Sequence, residues 1–298
     1  MGSIEYTVMI SSLNTTYLLL YTVDVLRFAV AGSPLSTPSP GGTVEGLKQA
    51  KALGIAAMEI EWVQNVPTNI ERMKEIQSMS QELGIALTVH APYFINLNSP
   101  DKSKLAASKK RILAALSMAE RAGAHSVCVH AAFNLGLPPE KVYDNVRRAV
   151  EDILLQKSRD FPHVNLALET MGKHSQFGTL EEVLRIGSEF GIFPCVDFAH
   201  LHARFQGKIN SKLEWNALLD QYEQALGKAA LKDMHMHYSG IAYGPSGERK
   251  HLPLLESDAN WKDLLTVLKK RRVGGVLVCE SPIMEEDVLL LKHTYEKL

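Results

Sequence analysis

Histidine and acidic side chains stand at the ends of six successive apolar stretches of the chain. Each stretch is short and bounded like a buried strand, so we interpret these polar residues as strand ends. Strand ends chosen at random would be mostly Gly, Asn, Ser and Thr. One such residue is typical of a loop contact, but six in succession indicate a shared site. The residues are His90, His130, Glu169, Asp197, His235, His237 and Glu280.

Mixed imidazole and carboxylate groups predict a divalent-metal site. Such ligands suit Zn2+ first and Mn2+ or Fe2+ next. Carboxylates gathered in one cleft raise each other's pKa, and a cation removes that cost. A Ser-His-Asp hydrolase is disfavoured, because no G-x-S-x-G turn occurs and a triad leaves at least four of these side chains unexplained.

Strands and helices alternate from Leu26 to the end of the chain. Eight strands are predicted, at 26–31, 56–62, 86–90, 126–130, 165–169, 193–197, 233–237 and 275–280. Eight helices are predicted, near 43–53, 68–83, 101–122, 139–158, 179–190, 211–228, 259–271 and 285–297. Eight βα units close a (β/α)8 TIM barrel, whose active site lies at the C-terminal ends of the strands. An open doubly wound sheet is disfavoured, because no G-x-G-x-x-G turn follows the first strand.

Composition limits the remaining possibilities. The chain has 298 residues, and its 46% hydrophobic content is enough for one large core, so we predict a single barrel domain over 25–298. Residues 1–24 form an extension of uncertain structure, whose Tyr17 to Tyr21 run is far shorter than the ~20 residues of a membrane span. The 32 basic residues nearly cancel the 33 acidic ones, so no overall field draws the protein to DNA or membranes.

The three cysteines lie in apolar strand-like runs, which favours buried thiols and a cytoplasmic location. We also expect a monomer. Because residues two apart on a strand share a face, Cys128 lies beneath His130 and Cys195 beneath Asp197, where we interpret the thiols as core residues.

The same alternation puts His235 and His237 on one face of their strand. Glu59 and Glu61 share a face of the second strand. Either could reach the barrel mouth, but a solvated or salt-bridged role is favoured.

The motifs resemble those of the endonuclease IV family of metal-dependent apurinic/apyrimidinic endonucleases, within the xylose isomerase-like TIM barrel superfamily. The most specific piece is the run from His90 to Leu97, HAPYFINL, similar to the family's His-x-x-Tyr-x-Ile-Asn-Leu signature. The resemblance covers roughly residues 26–282. The matching motifs that follow in the family's order are Val129-His130, Leu168-Glu169-Thr170, Cys195-Val-Asp197-Phe-Ala-His200, Met234-His235 and Cys279-Glu280.

The resemblance implies two or three Zn2+ ions, with Mn2+ as a substitute, and Glu169 and Glu280 as the catalytic carboxylates. One ion is held by His90, His130 and Glu169, and a second by Glu169, Asp197, His235 and Glu280. The third is held by His200 and His251. The family's third-site motif is Asp-x-His, whereas this chain reads Glu248-Arg249-Lys250-His251, so Glu248 must supply the carboxylate from one residue further away.

The implied substrate is duplex DNA with an abasic site, cut on the 5′ side of the lesion. Tyr93 matches the family's DNA-inserting tyrosine, and Asn96 and His237 are the other expected DNA contacts. Two loops differ from the family pattern. The His-Pro-Gly turn after strand four is His130-Ala-Ala-Phe here, and the Arg-containing loop after strand two is replaced by residues 63–67.

A sugar isomerase or epimerase of the same superfamily is the alternative hypothesis. Such an enzyme holds one divalent ion with a Glu, Asp, His, Glu set, which Glu169, Asp197, His235 and Glu280 also satisfy. The additional histidines His90, His130 and His251 favour the endonuclease, because a single-ion isomerase does not need them as ligands. A catalytically inactive binding module is disfavoured, because nearly all ligand positions are retained.

Overall fold

A computed structural model describes residues 25–298, and the predicted extension at 1–24 lies outside them. The strands are β1 (Leu26–Ala31), β2 (Ala57–Glu61), β3 (Ala86–His90), β4 (Ser126–Val129), β5 (Ala132–Phe133), β6 (Asn165–Leu168), β7 (Gln176–Phe177), β8 (Cys195–Asp197), β9 (Met234–Tyr238), β10 (Gly240–Gly244), β11 (Gly247–Leu252) and β12 (Gly275–Cys279). The α-helices are α1 (Thr43–Ala52), α2 (Ile70–Leu83), α3 (Lys102–Ala122), α4 (Pro139–Asp160), α5 (Leu180–Phe190), α6 (Phe198–Arg204), α7 (Lys212–Leu226), α8 (Trp261–Lys270) and α9 (Glu285–Lys297). Short 3₁₀-helices lie at Lys228–Lys232 and Leu254–Glu256.

Eight of these strands form one parallel sheet in the order β6-β4-β3-β2-β1-β12-β9-β8. A parallel bridge between Glu169 and Cys195 joins the two ends of this order. The sheet therefore closes on itself, and the prediction of a (β/α)8 TIM barrel is confirmed. The active-site end of such a barrel is the one at which Glu169 lies, just beyond β6.

Two antiparallel pairs lie outside the barrel sheet. The first joins β5 to β7, and the second is the hairpin of β10 and β11 that follows β9. Both pairs, and the short helix α6, interrupt the regular βα alternation after barrel strands. The sequence periodicity did not predict them. They build the loops that surround the cavity at the C-terminal ends of the strands.

Local signals explain where several helices begin. Thr179 caps α5 in a complete capping box, in which its side chain accepts from the Glu182 amide and the Glu182 side chain accepts from the Thr179 amide. At α2 the cap is Asn69, whose Oδ1 accepts from the Arg72 amide at 3.0 Å. These caps satisfy amides that have no partner inside the helix.

The core lies between the barrel sheet and its helices. Trp215 on α7 is fully buried and packs edge-on against Phe198 of α6, with ring centroids 5.7 Å apart. Truncating so large a buried side chain costs roughly 3–5 kcal/mol. All three cysteines are buried and free, as the sequence predicted. Within residues 25–298, no helix combines the length and apolar character that crossing a membrane requires.

Candidate metal centre

Parallel pairing sets the depth at which each site residue lies inside the barrel. Asp197 pairs with His237 across β8 and β9, and Cys195 pairs with His235. Side chains two apart on a strand share a face but lie in different layers. His237 is therefore level with Asp197, and His235 lies one layer deeper.

Four side chains converge at this upper level, and we name them the central set: Glu169, Asp197, His237 and Glu280. One ligand atom from each lies within 4.8 Å of all the others. The Nδ1 atom of His237 is 3.5 Å from Glu169 Oε1 and 3.5 Å from Glu280 Oε2. The family resemblance implies His235 as the ligand in this set and His237 as a DNA contact. The structure brings together His237 and the three carboxylates instead.

Two histidines flank the other oxygen of Glu169. His130 Nε2 lies 2.8 Å from Glu169 Oε2, and His90 Nε2 lies 3.4 Å from the same atom. His90 is oriented by its other nitrogen, because Nδ1 is 2.8 Å from the Ala91 carbonyl oxygen and can donate to it. The Cys128 thiol donates to Glu169 Oε2 from below at 3.0 Å. The structure thus brings the predicted trio of His90, His130 and Glu169 together.

His200, Glu248 and His251 form an outer set, whose ligand atoms also lie within 4.8 Å of one another. The Nε2 atom of His200 is 3.5 Å from Glu248 Oε2. His200 lies in the first turn of α6, where its amide donates to Asp197 Oδ1 at 2.7 Å. Its Nδ1 is 3.0 Å from the Thr170 carbonyl oxygen. Asp197 therefore serves both as the helix cap and as a member of the central set.

A β-bulge explains how Glu248 reaches this outer set. Tyr243 lies opposite Glu248, and the preceding residue of β10 lies opposite Lys250, which leaves Arg249 as an extra residue in β11. Positions three apart on a regular strand face opposite sides. The extra residue returns Glu248 to the face of His251. The longer spacing of this chain therefore places a carboxylate and an imidazole together, as a two-residue spacing does on a regular strand.

The carboxylates of the cavity are unequal in their protonation. Burial raises the pKa of Asp197 to about 6. Burial also raises the pKa of Glu61 to about 8, against the opposing effect of His90. Burial likewise disfavours the charge on Glu280, but the adjacent His237 holds the pKa of that carboxyl below its usual range. The imidazoles thus stabilise only part of the negative charge that the site can hold.

Several buried polar atoms here have no hydrogen-bond partner among the described residues. They include Glu169 Oε1, Asp197 Oδ2, His90 Nε2 and His237 Nδ1, and in the layer below both oxygens of Glu59. Buried polar atoms are satisfied in the great majority of cases, so a cluster of exceptions needs an explanation. Imidazole nitrogens and carboxylate oxygens in one cluster are the donors that Zn2+ and Mn2+ prefer. The residues present therefore fit divalent cations.

The outer set and part of the inner ligands line one cavity of about 670 Å³ at the C-terminal end of the barrel. Its lining includes Tyr93, His130, His200, Glu248, His251 and Glu280. Lys173 also lines it, and its ammonium lies 3.9 Å from Glu248 Oε1. The volume suits a small molecule or one extruded nucleotide.

The three predicted DNA contacts occupy different environments. Tyr93 is 47% exposed and its ring lies 5.2 Å from that of His130, so it stands at the mouth beside the ligands. Asn96 uses its Oδ1 atom within the protein, accepting from the Asn98 amide at 3.1 Å and the Phe133 amide at 3.3 Å. His237 is fully buried in the central set.

Glu59 is a site residue whose role was not predicted from the sequence. It is fully buried, and its two oxygens lie 2.9 Å from His237 Nε2 and 2.8 Å from His235 Nε2. The alternation of β2 showed that Glu59 shares a face with Glu61, but not which of them lies deeper among histidines. The available signal was position, because Glu59 precedes the strand end by two residues and so belongs to the layer below.

Comparison with known proteins places the chain in a family. Residues 47–296 match the model of the family described as Xylose isomerase-like TIM barrel. The chain belongs to the xylose isomerase-like TIM barrel family. It is 36% identical over 274 residues to the uncharacterized protein MJ0133 of Methanocaldococcus jannaschii, covering 92% of this chain and 98% of that one. It is 24% identical over 292 residues to a probable endonuclease 4 of Shouchella clausii, covering 88% and 96%.

Solved structures share the fold with two kinds of enzyme. Endonuclease IV from Thermus thermophilus superposes with a TM-score of 0.68 at 19% identity, over 91% of this chain and 98% of that one. A D-tagatose 3-epimerase-like protein superposes with a TM-score of 0.66 at 18% identity, over 91% and 96%. Scores this similar at such low identity describe the barrel and do not distinguish the two activities.

Proposed function

We propose that the protein is a metal-dependent DNA-repair endonuclease of the endonuclease IV type, which hydrolyses the phosphodiester 5′ to an abasic site. The observation that carries the proposal is the outer set of His200, Glu248 and His251 on the wall of the same cavity. These three side chains add ligands to a centre that already has enough for one ion. The sequence relationship to a probable endonuclease 4 supports the same assignment.

The ligands divide into three groups, two of which share Glu169. His90 and His130 would hold one ion with Glu169, and Glu169 with the rest of the central set would hold a second. The outer set would hold a third. We expect Zn2+ or Mn2+ from this donor chemistry. Divalent ions there would act as Lewis acids on phosphoryl oxygens and lower the pKa of water.

The residues around the centre suit a DNA substrate. Tyr93 projects at the mouth, where an aromatic ring could occupy the gap left by a missing base. Asn96 would act through the loops that it joins, since its Oδ1 atom already binds two amides. Exposed Arg249 and Lys250 on the β11 strand, with Lys173 beside the outer set, would contact phosphates. Local cations of this kind offset the formal net charge of −1.

A divalent-metal sugar epimerase is the second candidate. Glu169, Asp197, His237 and Glu280 provide its four-residue, single-ion site, and the cavity volume fits a monosaccharide. This candidate leaves the outer set without a role as ligands. It therefore predicts about one ion per chain rather than three.

The test is activity of purified, metal-analysed protein on two substrates. One is duplex DNA with a single tetrahydrofuran abasic analogue, and the other is a panel of free ketoses followed by NMR. Nicking of the damaged duplex, with an undamaged duplex left intact, supports the proposal. Turnover of a ketose by a one-ion protein that leaves the damaged duplex uncut would replace it with the epimerase.

A further inference from the structure

A chain of buried polar groups lies beneath the central set. Ser126 Oγ is 2.9 Å from His235 Nδ1, and His235 Nε2 is 2.8 Å from Glu59 Oε2. The other oxygen of Glu59 is 2.9 Å from His237 Nε2. Exposure of these four side chains is at most 3%. Glu59 therefore links the two histidines, with one oxygen facing the Nε2 atom of each ring.

The two nitrogens of His237 face different partners. Its Nδ1 faces Glu169 and Glu280 at 3.5 Å, and its Nε2 faces Glu59. A neutral imidazole that binds a cation through Nδ1 must carry its proton on Nε2. A carboxylate can only accept, so Glu59 favours this tautomer.

The rings of His235 and His237 could also bond directly to each other instead of to Glu59. The Nε2 atoms of His235 and His237 are only 3.2 Å apart, so a direct bond between the rings would need one of them as acceptor. If His237 were that acceptor, its proton would be on Nδ1 and would block the ligand position. Glu59 has one oxygen for each ring, so both rings can donate. The hydroxyl of Ser126 can then donate to His235 Nδ1.

We propose that Glu59 is a positioning residue that holds His237 with its Nδ1 lone pair toward the central set, and that His235 and Ser126 hold Glu59 in turn. The proposal rests on the metal centre of the proposed function. It also gives the buried ion pairs of Glu59 a role without requiring a further metal at that depth. Carboxylates that accept from a ligating histidine orient the ring and raise its basicity.

Glu59→Gln is the most direct variant, because glutamine keeps the shape and removes the second acceptor. Because the Ser126 hydroxyl donates to His235 Nδ1, His235 keeps its proton on Nε2 and donates to the glutamine oxygen. The glutamine amide nitrogen then faces His237 Nε2 and moves the proton of that ring to Nδ1. We expect the affinity for one Zn2+ ion, measured by chelator competition, to fall about 10–100-fold. Binding by the outer set should not change.

The tautomer gives a readout that does not depend on activity. In metal-free protein with ¹⁵N-labelled histidine, at a pH high enough to leave His237 neutral, long-range ¹H–¹⁵N spectra should show His237 protonated on Nε2. In Glu59→Gln the proton should appear on Nδ1, with the signal assigned by its loss in His237→Gln. The matched control is Asp233→Asn, which breaks another histidine–carboxylate pair, His125 Nε2 to Asp233 Oδ2 at 2.9 Å, at the opposite end of the barrel. This control should retain both the affinity and the tautomer.

Two results would overturn the inference. One is a folded Glu59→Gln protein with wild-type Zn2+ affinity, and the other is an unchanged His237 tautomer in that variant. If Glu59→Gln does not fold, Ser126→Ala tests the same chain, with an expected change at His235 and a few-fold loss of affinity; no change in either would refute the proposal. Wild-type protein that binds no divalent metal would instead refute the proposed function.

Discussion

Replacing Glu169 with glutamine should remove two of the three proposed ions at once. Glu169 is the meeting point of the site, with His130 2.8 Å away on one oxygen and His200 3.1 Å away on the other. Glutamine preserves the shape but supplies no charge. The trio with His90 and the central set both lose their shared carboxylate, whereas the outer set keeps all its members.

The expected magnitudes follow from this arrangement. Metal content should fall from about three ions per chain to about one, because only the outer set of His200, Glu248 and His251 keeps all its ligands. Loss of the two ions removes several kcal/mol of transition-state stabilisation, which corresponds to roughly a 10³-fold or greater loss of kcat. Breaking a buried ion pair costs about 3–5 kcal/mol, so metal-free Glu169→Gln should be less stable than metal-free wild type.

The assay is elemental analysis of dialysed protein, with circular dichroism to establish that each variant is folded. Glu248→Gln is the matched control, because it makes the same chemical change in the outer set and should leave about two ions. Retention of the wild-type metal content by folded Glu169→Gln would refute the assignment of Glu169 as the shared ligand. Equal losses in the two variants would refute the division into three groups.

Three further predictions concern residues around the centre. Tyr93→Ala should raise KM for nicking of abasic-site duplex about tenfold, as expected for a lost stacking contact. Tyr93→Phe keeps the ring and should keep the wild-type KM. An unchanged KM in Tyr93→Ala would argue against insertion of the ring into the DNA. Asn96→Ala should lower the free energy of unfolding in urea by about 2 kcal/mol, because two hydrogen bonds are lost. Asn96→Asp retains the acceptor oxygen and should lose less stability. Similar losses in the two variants would contradict the role of these hydrogen bonds. A hydrogen bond to Asp258 raises the pKa of Tyr243 to about 12. The stability that this bond gives the folded protein is therefore complete below the usual tyrosine pKa of about 10 and is lost as the pH rises through about 12. Ultraviolet titration should show one tyrosine shifted back in Asp258→Asn, and superimposable curves would count against the bond.

The barrel could be predicted because its signals are local. Alternating strand and helix periods report burial directly, and Thr179 with Glu182 has the spacing of a capping box. At α2 two adjacent residues, Thr68 and Asn69, are of a type that can cap, and Asn69 is the cap in the structure. Helix boundaries of this kind depend on backbone angles that residue type does not determine.

The ligand types could be predicted, but not their depth in the barrel. His235 and His237 share a face and differ by one layer, and the pairing of His237 with Asp197 shows which of them is level with the carboxylates. That register depends on contacts between distant parts of the chain. Position along β2 indicates that Glu59 lies below Glu61, but its partners His235 and His237 on β9 are far away in sequence and could not be predicted.

The outer set depends on a feature that strand periodicity does not predict. A spacing of three between Glu248 and His251 indicates opposite faces unless one residue is bulged. The hairpin pairs β10 with β11 so that Arg249 is extra. A bulge depends on the partner strand, so the sequence of β11 alone could not establish it.

Cleavage of an end-labelled duplex with one tetrahydrofuran site, by protein of known metal content, decides whether the protein is an abasic-site endonuclease. We predict a single break at the phosphodiester 5′ to the lesion, leaving a 3′-hydroxyl that a polymerase extends. Glu280→Gln should not make this break, because it removes a charge from the central set. An intact duplex after incubation with fully metal-loaded wild-type protein would contradict the assignment as an abasic-site endonuclease.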